Sequence, residues 1–264
     1  FDHSDSPRID AEVLLQHVVD GSMAWLIAHS DTIALPEHIK SFENLVAQRK
    51  LGQPIAYLVG FKEFWSLKLN VNQHVLVPRA DTETLVEQAL NLLSERESPT
   101  VLDLGTGSGA IALAVAKELP NAKITAIDAS ANALEVASHN AGLNSIHNVT
   151  FLRSNWFSEL ESKDFDLIAA NPPYVAEGDP HLTKGDLRFE PSLALSANDE
   201  GFSDLKTIIQ TSPGFLKPGA HLIVEHGYKQ YGEIASLFEK AKFRNIHLHN
   251  DLNDLPRCTS GALL

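Results

Sequence analysis

Cysteine and methionine are nearly absent from this chain of 264 residues, which contains one of each. The single cysteine, Cys258, cannot form an intramolecular disulfide or a cluster of thiolate ligands for a metal. We therefore expect a fold without disulfide bonds and a reducing, cytoplasmic location. Histidines number 12, but they form no ligand pattern with neighbouring carboxylates, so we also expect no metal site.

Long apolar runs and an excess of positive charge are missing as well. No run approaches the roughly 18 apolar residues of a membrane span, and the first residues, FDHSDSPRID, do not resemble a secretory signal. Lys and Arg number 21 against 34 Asp and Glu, which gives a net charge of −13. Proteins that bind phosphate backbones usually carry a basic surface. We therefore expect neither a membrane nor a nucleic acid as a partner.

The remaining composition is that of a globular protein, with 44% hydrophobic and 21% charged residues. The length allows one large domain or two smaller ones. Apolar side chains recur at helical spacing between residues 9 and 48, which predicts a helical N-terminal domain over residues 1–55. The pieces IAYLVG, FWSLKLNV and HVLVP are rich in strand-forming residues and predict a β-hairpin linker over residues 56–79.

Residues 80–264 alternate between short apolar strands and amphipathic helices. This alternation predicts a mostly parallel sheet with helices on both faces, a Rossmann-like, doubly wound α/β domain. The predicted strands are TVLDL, KITAID, NVTFL, DLIAAN, AHLIVEH and FRNIHLHND. The predicted helices cover residues 81–93, 110–118, 130–141, 205–216 and 231–241, with a turn at Pro218-Gly219 and the acids Asp81 and Glu83 capping the first helix.

A glycine-rich turn follows the strand TVLDL and opens a helix: Gly105-Thr106-Gly107-Ser-Gly109. Glycine permits a positive φ and close approach of a ligand to the backbone, at the strand edge where α/β folds bind ligands. The spacing also fits a dinucleotide fingerprint, so the glycines alone leave the ligand open. Asp103, at the end of the strand, needs a partner or a cleft. It could receive a cationic amino group, which S-adenosylmethionine has and NAD lacks.

Asp128 ends the next strand, KITAID, roughly 20 residues beyond the glycine turn. An acidic residue at this place hydrogen-bonds ribose hydroxyls in Rossmann sites. Asp128 or Ser130 could equally serve as the N-cap of the following helix. The combination with the glycine turn favours the ribose role.

The most specific motif is Asn171-Pro172-Pro173-Tyr174, directly after the apolar strand FDLIAA. Two consecutive prolines remove two N–H donors, so the turn presents carbonyl oxygens. An asparagine oxygen and a proline carbonyl can accept both hydrogens of a planar NH₂ group while an aromatic ring stacks on its face. The motif therefore predicts a site that methylates an amide or an exocyclic amine.

Taken together, these motifs resemble a class I S-adenosylmethionine-dependent methyltransferase. Further pieces narrow the resemblance to the HemK/PrmC family, which methylates a glutamine side-chain amide in class I peptide chain release factors. These pieces are GQPIAY, FKEFW, PRADTE, RFEP and EHG, and they begin at Gly52, Phe61, Pro78, Arg188 and Glu225. The resemblance covers nearly the whole chain and implies a substrate glutamine in a Gly-Gly-Gln motif. It also implies that the N-terminal domain helps to dock the release factor, and we expect a monomer.

The resemblance assigns roles to the motif residues. It implies that Asn171, Pro172 and Tyr174 are catalytic and that the whole Asn-Pro-Pro-Tyr segment, including Pro173, binds the substrate. In the family an acidic residue usually precedes Trp156, where this chain reads Ser154-Asn155. The residues implied to bind the cofactor are Asp103, Gly105, Thr106, Gly107, Gly109, Asp128, Trp156 and Asn171.

Two alternative functions stay open at this stage. An adenine-N6 methyltransferase of DNA or RNA would use the same Asn-Pro-Pro-Tyr motif, because the exocyclic amine of adenine poses the same chemical problem. The net charge of −13 and the lack of a basic segment weigh against it. A non-catalytic module that binds a cofactor or a nicotinamide dinucleotide is the second alternative.

Overall fold

The computed structural model describes residues 4, 6–161 and 163–264, so residues 1–3 and 5 of the predicted N-terminal domain lie outside the described residues. The beginning of the described chain is helical, as predicted. Its helices are α1 Pro7–Val19, α2 Met23–Ala28, α3 Pro36–Lys50 and α4 Ile55–Val59. Helices α1 and α3 begin with proline, whose missing N–H would be unpaired at that position anyway.

The predicted strand IAYLVG is wrong, because its first residues form α4. Ala56 and Val59, three residues apart, are the buried side chains of this helix, so its apolar residues follow helical rather than alternating spacing. Gly60 then ends the helix with a left-handed φ of 81°. A short apolar run of this kind is ambiguous between strand and helix.

The predicted hairpin is confirmed by β1 Phe61–Phe64 and β2 Leu67–Asn70, which pair antiparallel. The predicted strand HVLVP is wrong, since residues 74–78 form no strand. Side chains instead form hydrogen bonds with the backbone of this segment. The Tyr57 hydroxyl donates to the Val75 carbonyl at 2.5 Å, and the Val77 N–H donates to the Glu190 carboxylate at 3.0 Å.

A mostly parallel sheet forms the centre of the described part of the chain. Its strands are β3 Thr100–Leu104, β4 Lys123–Asp128, β5 Val149–Arg153, β6 Phe165–Ala170, β9 Leu216–Glu225, β10 Phe243–Asn250 and β11 Pro256–Leu263. Their order is β10-β11-β9-β6-β3-β4-β5, with β3 parallel to both β4 and β6. The short strands β7 Val175–Ala176 and β8 Ser196–Ala197 pair separately.

Helices cover both faces of this sheet, which confirms the predicted doubly wound α/β fold. The first apolar core contains side chains of α5 and α6, and the second contains side chains of α9 and α10. None of the described helices is long and apolar enough to cross a membrane. The bounds are α5 Thr82–Leu93, α6 Ala110–Glu118, α7 Ala131–Leu143, the single turn α8 Asn198–Gly201, α9 Ser203–Thr211 and α10 Tyr231–Lys240.

Three predictions in the second half of the chain need correction. The helix predicted over residues 205–216 ends at Thr211, where a 3₁₀ turn containing Pro213 follows. Pro218 and Gly219 lie inside β9 rather than in a separate turn. The pairing of β9 with β6 is irregular there, and Gly219 has a φ of 74°. Strand β11 was not predicted, because its sequence PRCTSGAL lacks clear alternation. The domain boundaries at residues 55 and 79 stay predictions.

A buried ion pair joins the N-terminal helices to a loop of the larger domain. The side chain of Arg49, at the end of α3, is 6% exposed and lies 2.7 Å from a carboxylate oxygen of Asp10 in α1. Its other nitrogen lies 2.5 Å from Asp186, in the segment between β7 and β8. Because a guanidinium without its carboxylates would be costly to bury, this contact fixes the helices against that loop.

We expect Arg49→Met to lower the free energy of unfolding by about 3 kcal/mol, because it leaves Asp10 buried without a partner. Urea denaturation measures the loss. The control is Arg8→Met, since Arg8 pairs with Glu12 at 2.8 Å but is 92% exposed, and exposed pairs contribute little to stability. Equal losses in the two variants would show that the buried pair contributes no more than a surface pair.

Candidate active site

A cavity of about 990 Å³ opens at the carboxyl edge of the parallel strands. This edge is where open α/β sheets bind ligands. The cavity is lined by the turns that follow β3, β4, β5 and β6, together with residues 73–79 and the segment between β7 and α9. The lining includes seven of the predicted site residues: Gly105, Thr106, Gly107, Asp128, Trp156, Asn171 and Pro173.

The glycine turn shapes the floor of the cavity. Gly105, Gly107 and Gly109 have φ values of 72°, 55° and 86°, a region that favours glycine. A Cβ atom on Gly107 would meet nothing within 4 Å, so this backbone is open to a ligand. A Cβ on Gly109 would lie 3.0 Å from the side chain of Leu113, and Gly109 does not line the cavity. The structure thus places Gly109 in the packing of α6 against its surroundings.

Asp103 lies directly behind this turn and is almost fully buried. Its Oδ2 accepts from the Thr106 hydroxyl at 2.6 Å and from the Ala112 N–H at 3.2 Å. Its Oδ1 is buried without a hydrogen-bond partner among the described residues. Burial raises the pKa of Asp103 to about 7, although these two hydrogen bonds oppose the rise. A carboxylate in this position favours a cation in the neighbouring cavity.

Asp128 ends β4 and connects the glycine turn to the next helix. Its carboxylate accepts from the Gly107 N–H and the Ser130 N–H, both at 2.9 Å. The cap of α7 is Ser130, whose hydroxyl accepts from the Ala133 N–H at 3.2 Å. Burial raises the pKa of Asp128, and its backbone hydrogen bonds oppose the rise. The carboxylate therefore lines the cavity while the capping contact belongs to Ser130.

The turn after β5 forms another wall of the cavity. Trp156 has a φ of 49°, and a Cβ atom on Gly105 would lie 3.4 Å from its ring. The indole N–H of Trp156 donates to Asp204 at 3.1 Å, which holds the ring in place. Asn155 also lines the cavity. Its carboxamide can both donate and accept hydrogen bonds.

The Asn-Pro-Pro-Tyr segment lines the same cavity as the glycine turn. Asn171 and Pro173 line the cavity, while Pro172 is buried. The Asn171 side-chain nitrogen donates to the Thr82 hydroxyl at 3.1 Å. Its carboxamide oxygen has no hydrogen-bond partner among the residues that the structure describes, so the lining holds one uncommitted acceptor.

Tyr174 is placed differently from the prediction that its ring stacks on the reacting group, since it is not among the cavity-lining residues. Its hydroxyl donates to Glu225 at 3.2 Å, and its carbonyl accepts from the Gln230 side chain at 3.2 Å. A Cβ atom on Gly201 would come within 2.2 Å of that carbonyl, so only glycine fits there. Tyr174 therefore fixes the segment from behind in this conformation.

Several residues of the site have no local sequence signal. Glu190 is fully buried at its side chain and binds the guanidinium of Arg79, although the two residues lie far apart in the chain. Asp81 was expected to cap α5, but it makes no side-chain capping bond. It instead forms an ion pair of 3.1 Å with Arg257 of β11. Covariation between homologous sequences is the kind of signal that could have found such pairs.

Histidine clusters do not add a second site. Among the described residues no group of three or more His, Cys, Asp or Glu could hold a metal ion. His226 is buried, and its ring shares a hydrogen bond of 2.8 Å with the Thr259 hydroxyl. Burial lowers the pKa of His226, which favours the neutral ring.

Known proteins resemble both parts of the chain. The PrmC N-terminal domain family matches residues 2–60, and the methyltransferase small domain family matches residues 81–186. The release factor glutamine methyltransferase of Xylella fastidiosa (strain Temecula1) is 45% identical over 96% of this chain and 92% of its own length. That of Escherichia coli K12 is 44% identical over 98% and 93%. The chain belongs to the release factor glutamine methyltransferase family.

This family membership confirms the resemblance found in the sequence, and the fold comparison agrees with it. A solved methyltransferase from Pyrococcus furiosus is 18% identical and superposes with a TM-score of 0.56 over 83% of this chain and 98% of that chain. At this identity the likeness concerns the fold alone. It supports the assignment of the larger domain of this release factor glutamine methyltransferase family member to the methyltransferase fold.

We expect Asp103 to make the stability of the ligand-free protein fall as the pH rises. The unfolded chain releases this proton near pH 4, whereas the folded protein retains it until a pH of about 7. The stabilising contribution is therefore fully present below a pH of about 4 and is lost as the pH rises through about 7.

Urea denaturation of the wild type and of Asp103→Asn between about pH 5 and pH 8 measures this effect. Relative to the variant, the wild type should lose about 2 kcal/mol over that range. Glu225 is present in both proteins, so its own titration cancels in the difference. Asp164→Asn, at an exposed position, controls for the loss of one negative charge. Parallel pH profiles for wild type and Asp103→Asn would contradict the prediction.

Proposed function

We propose that this protein transfers a methyl group from S-adenosylmethionine to the side-chain amide nitrogen of the glutamine in the Gly-Gly-Gln motif of a class I release factor. Family membership supports the reaction. The structural observation that carries the assignment is the uncommitted carboxamide oxygen of Asn171, which lies in the same cavity as the glycine turn. An acceptor is what the N–H groups of an amide require.

The residues present fit the cofactor. The open backbone at Gly107 can accept a ligand at close approach, and the Asp128 carboxylate can accept from ribose hydroxyls. Asp103 does not line the cavity, but its unpaired Oδ1 lies behind Thr106, and a cationic ligand would favour the ionised form of this carboxyl group. When bound, S-adenosylmethionine supplies an electrophilic methyl group on a positively charged sulfur. Trp156 and Asn155 border the remaining wall.

The protein's contribution to the reaction is mainly orientation. An amide nitrogen is a poor nucleophile because its lone pair is delocalised into the carbonyl group. We infer that the Asn171 oxygen and the Pro172 carbonyl accept its two hydrogens and hold the nitrogen in line for transfer. Tyr174 supports this turn through Glu225 and Gln230. Methyl transfer to a nitrogen that is oriented by fixed acceptors in this way needs no strong base.

The N-terminal helices are the proposed docking domain for the release factor. These helices and the loop between α2 and α3 expose apolar side chains to solvent, including Trp25 at 41%, Ile27 at 70% and, in the loop, Ile33 at 91%. Leu193, which lines the mouth of the cavity, is 89% exposed. The net charge of −13 suits a basic protein partner. A monomeric state and the absence of a nucleic-acid partner stay predictions.

The decisive experiment follows transfer of labelled methyl groups from S-adenosylmethionine to a purified class I release factor. We expect labelling of the wild-type factor and none of a factor whose Gly-Gly-Gln glutamine is replaced by alanine. Equal labelling of both factors would overturn the substrate assignment. Duplex DNA and RNA are included as separate acceptors, and labelling of adenine in either would favour the adenine-N6 alternative.

We expect Asn171→Ala to lower kcat by about 100-fold, because it removes an acceptor aimed at the reacting amide. Cofactor affinity, measured by calorimetry, should stay within about threefold, since the glycine turn and Asp128 are unchanged. Asn144→Ala serves as a control because Asn144 binds the Lys68 carbonyl far from the cavity. An unchanged kcat in Asn171→Ala would refute the role given to the Asn-Pro-Pro-Tyr segment.

A further inference from the structure

The orientation of one carboxamide decides whether the site can act. The carboxamide of Asn171 has an acceptor oxygen and a donor nitrogen of similar size. A half-turn of the carboxamide therefore exchanges the positions of the two atoms. Only the oxygen can accept from a substrate amide. In the structure the nitrogen donates to the Thr82 hydroxyl at 3.1 Å, which leaves the oxygen on the other side.

Thr82 is well placed to impose this orientation. It is the first residue of α5 and is 4% exposed, whereas Asn171 follows β6. A hydroxyl has one proton and two lone pairs, so it can either donate to Asn171 or accept from it. The Thr82 oxygen accepts from the Asn171 nitrogen when the Thr82 hydroxyl donates its own hydrogen bond to a different acceptor.

Glu225, at the end of β9, is the acceptor beside Thr82. It is 1% exposed, and its Oε1 accepts from the Tyr174 hydroxyl at 3.2 Å. Its Oε2 is buried without a hydrogen-bond partner among the described residues. Burial raises the pKa of Glu225 to about 7, and the neighbouring Thr82 hydroxyl and the charge of Arg257 act against the rise. Oε2 thus lacks a donor, and the Thr82 hydroxyl beside this carboxylate has a proton to donate.

We propose that Thr82 and Glu225 are positioning residues that fix the polarity of the Asn171 carboxamide. In this arrangement the Thr82 hydroxyl donates a hydrogen bond to Glu225, the Thr82 oxygen accepts from the Asn171 nitrogen, and the Asn171 oxygen is left for the substrate. This inference rests on the proposed function, because it assumes that an amide is the group received. Thr82 lines the cavity and Glu225 does not, and the proposed role of both residues is exerted through Asn171.

The test compares Thr82→Val, Thr82→Ser and Glu225→Gln with the wild type. Valine keeps the shape of threonine without the hydroxyl, and we expect kcat to fall by about tenfold or more because the carboxamide is no longer held. The KM for S-adenosylmethionine should stay within about twofold. Serine restores the hydroxyl and should restore kcat to within about threefold of the wild type. In Glu225→Gln the side-chain NH₂ group can donate to the Thr82 oxygen, which reverses the chain of hydrogen bonds. We therefore expect Glu225→Gln to lower kcat as Thr82→Val does.

Thr100→Val is the matched control, since the Thr100 hydroxyl donates to the Asp164 carbonyl at 2.7 Å at the opposite edge of the sheet. We expect its kcat to equal that of the wild type. Wild-type kcat in folded Thr82→Val would overturn the proposal. A serine variant as slow as the valine variant would also overturn it, because packing and not the hydroxyl would then be responsible. Should Thr82→Val fail to fold, wild-type kcat in Glu225→Gln overturns it alone.

A second readout does not depend on activity. The side-chain amide protons of Asn171 can be assigned by NMR through their loss in Asn171→Ala. We expect them to exchange slowly with solvent in the ligand-free wild type and Thr82→Ser, and at least tenfold faster in Thr82→Val. Equal exchange in wild type and Thr82→Val would overturn the inference. Slow wild-type exchange without methylation of the release factor would overturn the proposed function and leave the positioning pair standing.

Discussion

The parallel pairing of β3 with both β4 and β6 is the constraint on which the site depends. Parallel strands end at the same edge of a sheet, so the turns after these three strands must lie side by side. The glycine turn, Asp128 and Asn171 meet there although long stretches of chain separate them. Helices on both faces bury most of these three strands, which gives the turns a rigid base.

The sequence predicts most of the fold because its central elements carry strong local signals. The strands TVLDL and KITAID and the helix over residues 110–118 have the predicted bounds. Predictions failed where local preference and tertiary packing differ. Residues 55–59 are apolar enough for a strand but bury a helical face, and β11 depends on pairing with two strands rather than on its own pattern. Gly261 illustrates why the sequence of β11 does not look like a strand. A Cβ atom there would lie 2.7 Å from the Phe238 ring, so packing requires glycine at this position although glycine is a poor strand former.

The candidate site divides in the same way. Asp103, Asp128 and Asn171 each lie at or next to the carboxyl end of a strand, so their place at the sheet edge follows from short motifs. Their partners do not, because Asn171 and Thr82 are 89 residues apart in the chain and Val77 and Glu190 are 113 apart. No short-range pattern encodes such contacts. Tyr174 is the clearest example, since a motif predicts an aromatic ring at the site but not that Glu225 draws its hydroxyl away from the cavity.

The ion pairs of Arg49 have a mechanical consequence. Separating α3 from the segment between β7 and β8 would break the bond between Arg49 and Asp186 and expose part of a guanidinium that also binds Asp10 of α1. That segment also supplies Leu193 at the cavity mouth. The ion pair therefore couples the position of the helical domain to that of the cavity rim, so that a protein bound to the helices lies on a part of the chain that is tied to the entrance of the site.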